Sequence, residues 1–250
     1  MRLARFSKDG QVHNGLVEAD QIHQLAGSFF DSIEKTGHSF PLAEVTLLTP
    51  VEPSKIICIG LNFKDHAAEI GQNTQEEPLM FFKPPSALIA TGEEIVIPPQ
   101  TAKAELEVEL AIVVGKKAKN ISEADAKSYI LGYTIANDVT ARDVQFSDLQ
   151  WARSKGFDTF GPLGPWIETE FNPENKKLIS RINGEIRQEG NTQHMITRPE
   201  ALLSYVSQNL TLFPGDVILT GSPAGISGIS RGDLVECEIE GIGILSNPVA

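Results

Sequence analysis

Basic residues are scarce in this chain. Its 250 residues include 21 Lys+Arg against 33 Asp+Glu, a net charge of -12. That leaves no dense cationic face for a polyanion and argues against nucleic acid as a partner. Cysteine is nearly absent: Cys58 and Cys237 show no CxxC spacing, which argues against a disulfide framework or a zinc knuckle and places both thiols in the core. No 18 apolar residues run together, so no membrane-spanning helix is expected. The opening Met1-Arg2-Leu3-Ala4-Arg5-Phe6 passes into polar Ser7-Lys8-Asp9-Gly10, unlike a secretory leader, and a cytoplasmic location is the default expectation. Internal repeats and low-complexity tracts are also missing. With 41% hydrophobic and 22% charged residues, what remains is an ordinary globular chain, long enough for one sizeable domain or for a catalytic domain with a small appendage.

The chain breaks once, near Pro50 to Pro53. Before it, Leu3 to Phe6, Val12 to Val17 and Gln21 to Leu25 read as short strands joined by Asp9-Gly10 and Ala19-Asp20, with a helix from Asp31 to Lys35, giving a small β-rich domain over residues 1–50. After it, over residues 53–250, Lys55 to Gly60 reads as a buried strand and Asn62 to Ile70 as a short helix capped by Asn62. Further helices are expected from Ser122 to Ile130, Thr140 to Arg153 and Arg198 to Asn209, the last announced by the capping box Thr197-Arg198-Pro199-Glu200. Gly215-Asp216 and Gly232-Asp233 read as turns into strands at Val217 to Thr220 and Leu234 to Ile239. The predicted class is α+β and strand-rich.

Against this background, the run Glu105-Leu106-Glu107-Val108-Glu109-Leu110-Ala111-Ile112-Val113-Val114 is out of place. On a strand the three glutamates share one face, and from Leu110 onward both faces are apolar, as in a strand covered on both sides. Carrying acids into such a region, with Asp138 in Ile135-Ala136-Asn137-Asp138 joining them, has a high desolvation cost unless a cation neutralises the charge. A hard divalent metal answers that cost. The plain alternative is that Glu107 and Glu109 form cross-strand ion pairs and that Asp138 caps a helix beginning near Thr140.

Several motifs then combine in one order: Glu107-Val108-Glu109-Leu110, Asp138-Val139-Thr140-Ala141-Arg142-Asp143-Val144-Gln145, Lys155-Gly156-Phe157-Asp158-Thr159 and Thr220-Gly221-Ser222-Pro223-Ala224-Gly225. Together they resemble the fumarylacetoacetate hydrolase family over residues 53 to 247. Upstream, Gly60 to Glu69 resembles the family's lid helix and Phe82-Lys83-Pro84-Pro85-Ser86 its following segment. Residues 1 to about 50 resemble the small N-terminal domain of many bacterial members. The resemblance implies a mixed β-sandwich roll around a metal pocket, with a mobile lid from roughly Asn62 to Gln75 and a homodimeric assembly.

It also implies a site. Glu107, Glu109 and Asp138 would hold the metal, Mg²⁺ first and Mn²⁺ or Ca²⁺ next, since all donors are oxygens. Glu105 shares their face but falls outside the family pattern, and is expected to be solvated or to stand behind the ligands. His66 and Glu69, at i and i+3, resemble the family's water-activating dyad. Lys155, Gln145 and Thr220 match positions that touch substrate, and Arg142 with Asp143 would brace the helix start and the neighbouring acids, with Arg142 also a candidate substrate contact. Gly221 and Gly225 would let backbone N–H groups approach a ligand. The activity implied is on small 2-oxo acids through a metal-stabilised enolate: hydrolysis of an acylpyruvate, decarboxylation of oxaloacetate, or isomerisation, decarboxylation or hydration of unsaturated 2-oxo diacids. A non-enzymatic domain binding metal or a small acid would explain the three acids but would not need His66, Glu69 or Lys155.

Overall fold

The strand Val108–Val114 is buried at every residue because it lies near the middle of a large sheet with a core on each face. A computed structural model describes residues 1–71 and 76–250. Its largest sheet has 12 strands. The main path runs Lys35–Pro41, Gln21–Leu25, Gln11–Glu18, Arg2–Lys8, Gly161–Glu168, Ile130–Asn137, Val108–Val114, Val217–Leu219, Ile56–Gly60 and Leu79–Lys83. Leu110, Ile112 and Ile135 face one cluster with Leu202, Leu203 and Val206 of the helix Pro199–Asn209 and with Leu178, Cys237 and Leu245. The last three come from a second, four-stranded sheet ordered Glu185–Asn191, Lys177–Ile182, Leu234–Ile239 and Gly243–Pro248. Ala111, Val113 and Ala136 face the opposite cluster, where they meet Leu3, Leu16, Phe29 and Cys58. The alternation of a two-residue period thus divides one strand between two cores. Both cysteines are free and buried, as expected. Among the described residues no helix is long and apolar enough to cross a membrane.

The N-terminal strands are continuous with the rest of the molecule. Arg2 and Leu3 pair with Glu168 and Ile167 of the strand Gly161–Glu168, so residues on both sides of Pro50 share one sheet. The helix expected from Asp31 to Lys35 does not form. Lys35 opens a strand, Lys35–Pro41, which pairs with Gln21–Leu25. Residues 31–35 are all exposed, and a short helix with no face to bury cannot offset its nucleation cost, whereas a sheet edge offers the backbone partners.

Two expected helix starts also differ, and for one shared reason. Asn62 does not cap the helix Lys64–Glu69, and Thr197 does not cap Pro199–Asn209. Instead the Asn62 amide accepts Thr197 N–H at 2.8 Å and donates to Thr197 O at 2.9 Å and Thr220 O at 2.7 Å. Each residue satisfies the other, tying the start of the lid helix to two distant segments. The helix expected from Thr140 to Arg153 is divided as well. Thr140–Ala141 bridges to Ala104–Leu106 as a strand, and Arg142–Ser147 and Ala152–Lys155 are separate helices. The Arg153 guanidinium spans the break to Asp148 at 2.7 and 2.9 Å. Residues 72–75, the end of the segment expected to form a mobile lid, lie outside the described residues.

Candidate metal and acid–base centre

Glu107 sits at a step between sheets. Ala104–Leu106 belongs to a three-stranded sheet with Thr140–Ala141 and Ser227–Gly228, and one residue later Val108–Val114 belongs to the large one. At such a step the ladder is interrupted and backbone groups need other partners. Side-chain amides provide them: Asn137 Oδ1 accepts Glu107 N–H at 3.0 Å and Gln188 Oε1 accepts Val108 N–H at 2.9 Å. Asp138 N–H donates to Glu107 O at 2.9 Å, which brings the second acid strand alongside. Carboxylate oxygens of Glu107, Glu109 and Asp138 thereby lie within 4.8 Å of one another, all three residues buried.

The three acids are not equivalent. Lys155 Nζ donates to Glu107 Oε2 at 2.7 Å and to Asp138 Oδ2 at 2.5 Å, and Lys83 Nζ reaches Asp138 Oδ1 at 2.6 Å. Arg142 binds Glu107 through Nη2 and Glu105 through Nε, the latter at 2.6 Å. So the plain ion-pair reading holds for Glu107 and not for Glu109, and Asp138, expected in that reading to cap a helix, caps none and is ion-paired instead. Glu105 is buried and stands behind the cluster on Arg142, not in solvent. Glu109 differs from the others. It accepts Gly221 N–H at 2.6 Å, and among the described residues it has no ion pair.

These partners set the protonation states. Burial raises the Glu107 carboxyl, but the charges of Lys155 and Arg142 outweigh it and hold the group well below the usual carboxylate range. Burial would lower the Lys155 ammonium, but Asp138 and Glu107 outweigh that and its pKa lies above the ordinary lysine value. Lys155 is therefore a fixed charge rather than a proton donor. For Glu109, burial and the neighbouring Asp138 and Glu107 all act in one direction and push the carboxyl well above its usual range. A buried carboxylate short of positive charge, beside two others in an all-oxygen donor set, fits a hard divalent cation.

His66, Glu107, Glu109, Asp138, Arg142, Gln145 and Lys155 line one cleft together with the apolar Leu61, Ile70, Phe81 and Trp151. Leu61, at φ 60°, turns the chain from the strand Ile56–Gly60 into the lid helix. His66 Nδ1 lies 3.3 Å from Glu69 Oε2. An ionised carboxylate can only accept, so Nδ1 carries the proton and Nε2 is left as a base. Glu69 is held in turn by Gly225 N–H at 3.0 Å. The two glycine amides expected to approach a ligand thus approach the acids Glu109 and Glu69. Gly221 has φ +97°, and a Cβ there would lie 2.7 Å from Asn62 Cβ. Gln145 Oε1 accepts from Arg142 Nη1 at 2.5 Å. The Thr220 hydroxyl donates to Leu110 O at 2.9 Å, and Thr220 is not among the cleft-lining residues. Asp143 accepts from Thr101 Oγ1 and the Ala102 and Val144 amides, bracing the helix start as expected. The sequence reading missed Lys83, Gln188 and Ser222. A lysine ending the otherwise apolar strand Leu79–Lys83 was the available sign for the first, while nothing local distinguishes Gln188.

Comparison with known proteins places this arrangement. Residues 55–250 match the family description "Fumarylacetoacetate (FAA) hydrolase C-terminal", and residues 1–50 match "Rv2993c-like, N-terminal". The chain belongs to the fumarylacetoacetate hydrolase family. Within this family it is 48% identical over 259 residues to Protein Rv2993c of Mycobacterium tuberculosis, covering 100% of this chain and 98% of that one. It is 44% identical over 222 residues to human mitochondrial oxaloacetate tautomerase FAHD2A, covering 84% and 71%. The crystal structure of 2-hydroxyhepta-2,4-diene-1,7-dioate isomerase from Mycobacterium marinum superposes with a TM-score of 0.93 at 42% identity, covering 100% and 98%. The strand-rich fold is that of the family.

Proposed function

We propose that the protein is a divalent-metal-dependent enzyme of small 2-oxo acids, cleaving the C–C bond of an acylpyruvate, decarboxylating oxaloacetate, or both. The observation that carries this reading is Glu109, a buried acid facing two more acids and, among the described residues, without an ion pair. Glu107, Glu109 and Asp138 would hold the ion, with Mg²⁺ or Mn²⁺ suited to their oxygens. Once bound, it supplies Lewis-acid polarisation of the substrate's oxygens. The side chains do the rest. Lys155 is a fixed positive charge facing the electron pair released to the pyruvate fragment when the bond breaks. His66, oriented by Glu69, takes a proton from water for attack on the distal carbonyl. Decarboxylation needs the same charge stabilisation without that water.

A second reading, proton transfer alone in a tautomerase or isomerase, is supported by the names of the human and Mycobacterium marinum relatives. His66 Nε2 would then take its proton from carbon. Product analysis separates the two. With Mg²⁺, acetylpyruvate or oxaloacetate should release pyruvate, and EDTA should stop it, while turnover without metal would contradict the reading. Loss of the oxaloacetate enol form with no pyruvate released would favour proton transfer. His66→Ala should slow acetylpyruvate hydrolysis about 10²-fold while slowing decarboxylation less, and equal losses would remove its role in water activation.

A further inference from the structure

The amide of Gln188 can be oriented from its partners alone. One atom faces Val108 N–H at 2.9 Å, and because a backbone N–H only donates, that atom is the oxygen. The same oxygen accepts the Ser180 hydroxyl at 3.0 Å. Nε2 therefore faces the other way, donating to Ser222 Oγ at 2.8 Å and Pro223 O at 2.7 Å. Gln188 is fully buried, and a flipped amide would oppose donors with donors and acceptor with acceptor.

Ser222 thus receives a hydrogen at Oγ, and its own proton has to point elsewhere. Among the described residues no group accepts it, yet Ser222 is only 2% exposed and lines the cleft with the three acids and His66. It directly follows Gly221, whose N–H holds Glu109. A buried donor without an acceptor is costly, and the cleft is the direction left to it.

We propose that Gln188 is a positioning residue. By donating to Ser222 Oγ it presents the Ser222 proton to a carboxylate or enolate oxygen of the ligand bound beside Glu109, an inference that rests on the 2-oxo acid reading above. Such a charge-assisted bond is stronger than a neutral one. The same amide holds Val108, between Glu107 and Glu109, so it ties the strand bearing the acids to the turn bearing the donor.

Affinity for oxalate, a planar mimic of the pyruvate enolate, tests this by calorimetric titration in Mg²⁺, with the melting temperature as the check on folding. Ser222→Ala should weaken oxalate about tenfold, and Ser222→Thr, which keeps the hydroxyl, should stay within about twofold. Gln188→Met keeps the length of the side chain, adds no charge and removes the donor facing Ser222 together with the acceptor facing Val108. It should weaken oxalate by about the same factor in the native background and add nothing to Ser222→Ala. Equal losses in both backgrounds would mean that Gln188 acts through the fold alone and would overturn the proposal. Oxalate bound by Ser222→Ala at native strength would overturn it too, and that result is readable even if the Gln188 variant fails to fold. A native protein that neither binds oxalate nor turns over any 2-oxo acid would overturn both this inference and the functional reading. Loss of the Ser222–Gln188 coupling alone leaves the functional reading standing.

Discussion

Two buried carboxylates flank the short strand Val217–Leu219, and their surroundings differ completely. Asp216, at its start, is met by five donors: Ser54 N–H at 3.0 Å, Ser54 Oγ at 2.7 Å, Lys55 N–H at 3.2 Å, Lys55 Nζ at 2.5 Å and Phe213 N–H at 2.8 Å. Glu109, beside its end, is met by the amide of Gly221 at 2.6 Å. Both acids are out of solvent. A carboxylate whose lone pairs are filled by the protein holds the chain together, whereas one left short of donors raises the energy of the folded protein until something else supplies the charge. On the proposed reading, the contrast separates an acid that serves the fold from one kept for a ligand.

Glu109→Gln should give the largest effect. Removing a ligand to the cation forfeits several kcal/mol of charge stabilisation, so pyruvate release should fall about 10³-fold or more, while chemical denaturation without metal should show stability unchanged or improved. Marked destabilisation by this variant would erase the contrast. Asp216→Ala should behave in the opposite way. It strands Lys55 and three backbone amides, costing about 3 kcal/mol in urea unfolding, with activity per folded molecule preserved. A loss of turnover at full folding would place Asp216 in the catalytic machinery.

The smallest effect concerns pH. The Glu109 carboxyl is raised in the folded chain, so between its unfolded and folded values the native state binds more protons. Metal-free stability should then decline as pH rises through that window. Glu107 is lowered and is ionised in both states there, so it does not add to this slope. Melting temperatures from about pH 5 to pH 8 should fall without Mg²⁺ and level out with it. An unchanged slope on adding Mg²⁺ would mean the ion does not reach Glu109.

Some of this was legible in the sequence because its signal is local. The acids Glu107 and Glu109 in a run that turns apolar, and the i, i+3 pair His66 and Glu69, stand out from spacing alone; in the structure the first two meet in one cluster and the second two lie 3.3 Å apart, although the strand is interrupted at Glu107. What escaped depends on contacts far along the chain. Asn62 and Thr197 each carry a sound capping signal, but they satisfy one another across 135 residues. The helix expected from Thr140 starts only at Arg142 because Thr140 and Ala141 pair as a strand with Glu105 and Ala104, a long-range contact that helix propensity does not report. Lys83, 55 residues from Asp138, reaches it from a strand that is not its neighbour in the sheet, a contact that nothing local announces. Thr220 carries a hydroxyl in a glycine-rich turn, yet that hydroxyl is already committed to Leu110 O.

The pairing of Arg2–Lys8 with Gly161–Glu168 bears on anyone who would trim the molecule. Cutting the chain at the proline-rich junction would strip the partner from Ile167 and Glu168 at the end of an inner strand, and would bare the apolar surface that Leu3 and Leu16 now shield. Naked strand margins of that kind recruit other chains. The shortened product would be a sticky fragment rather than a leaner catalyst.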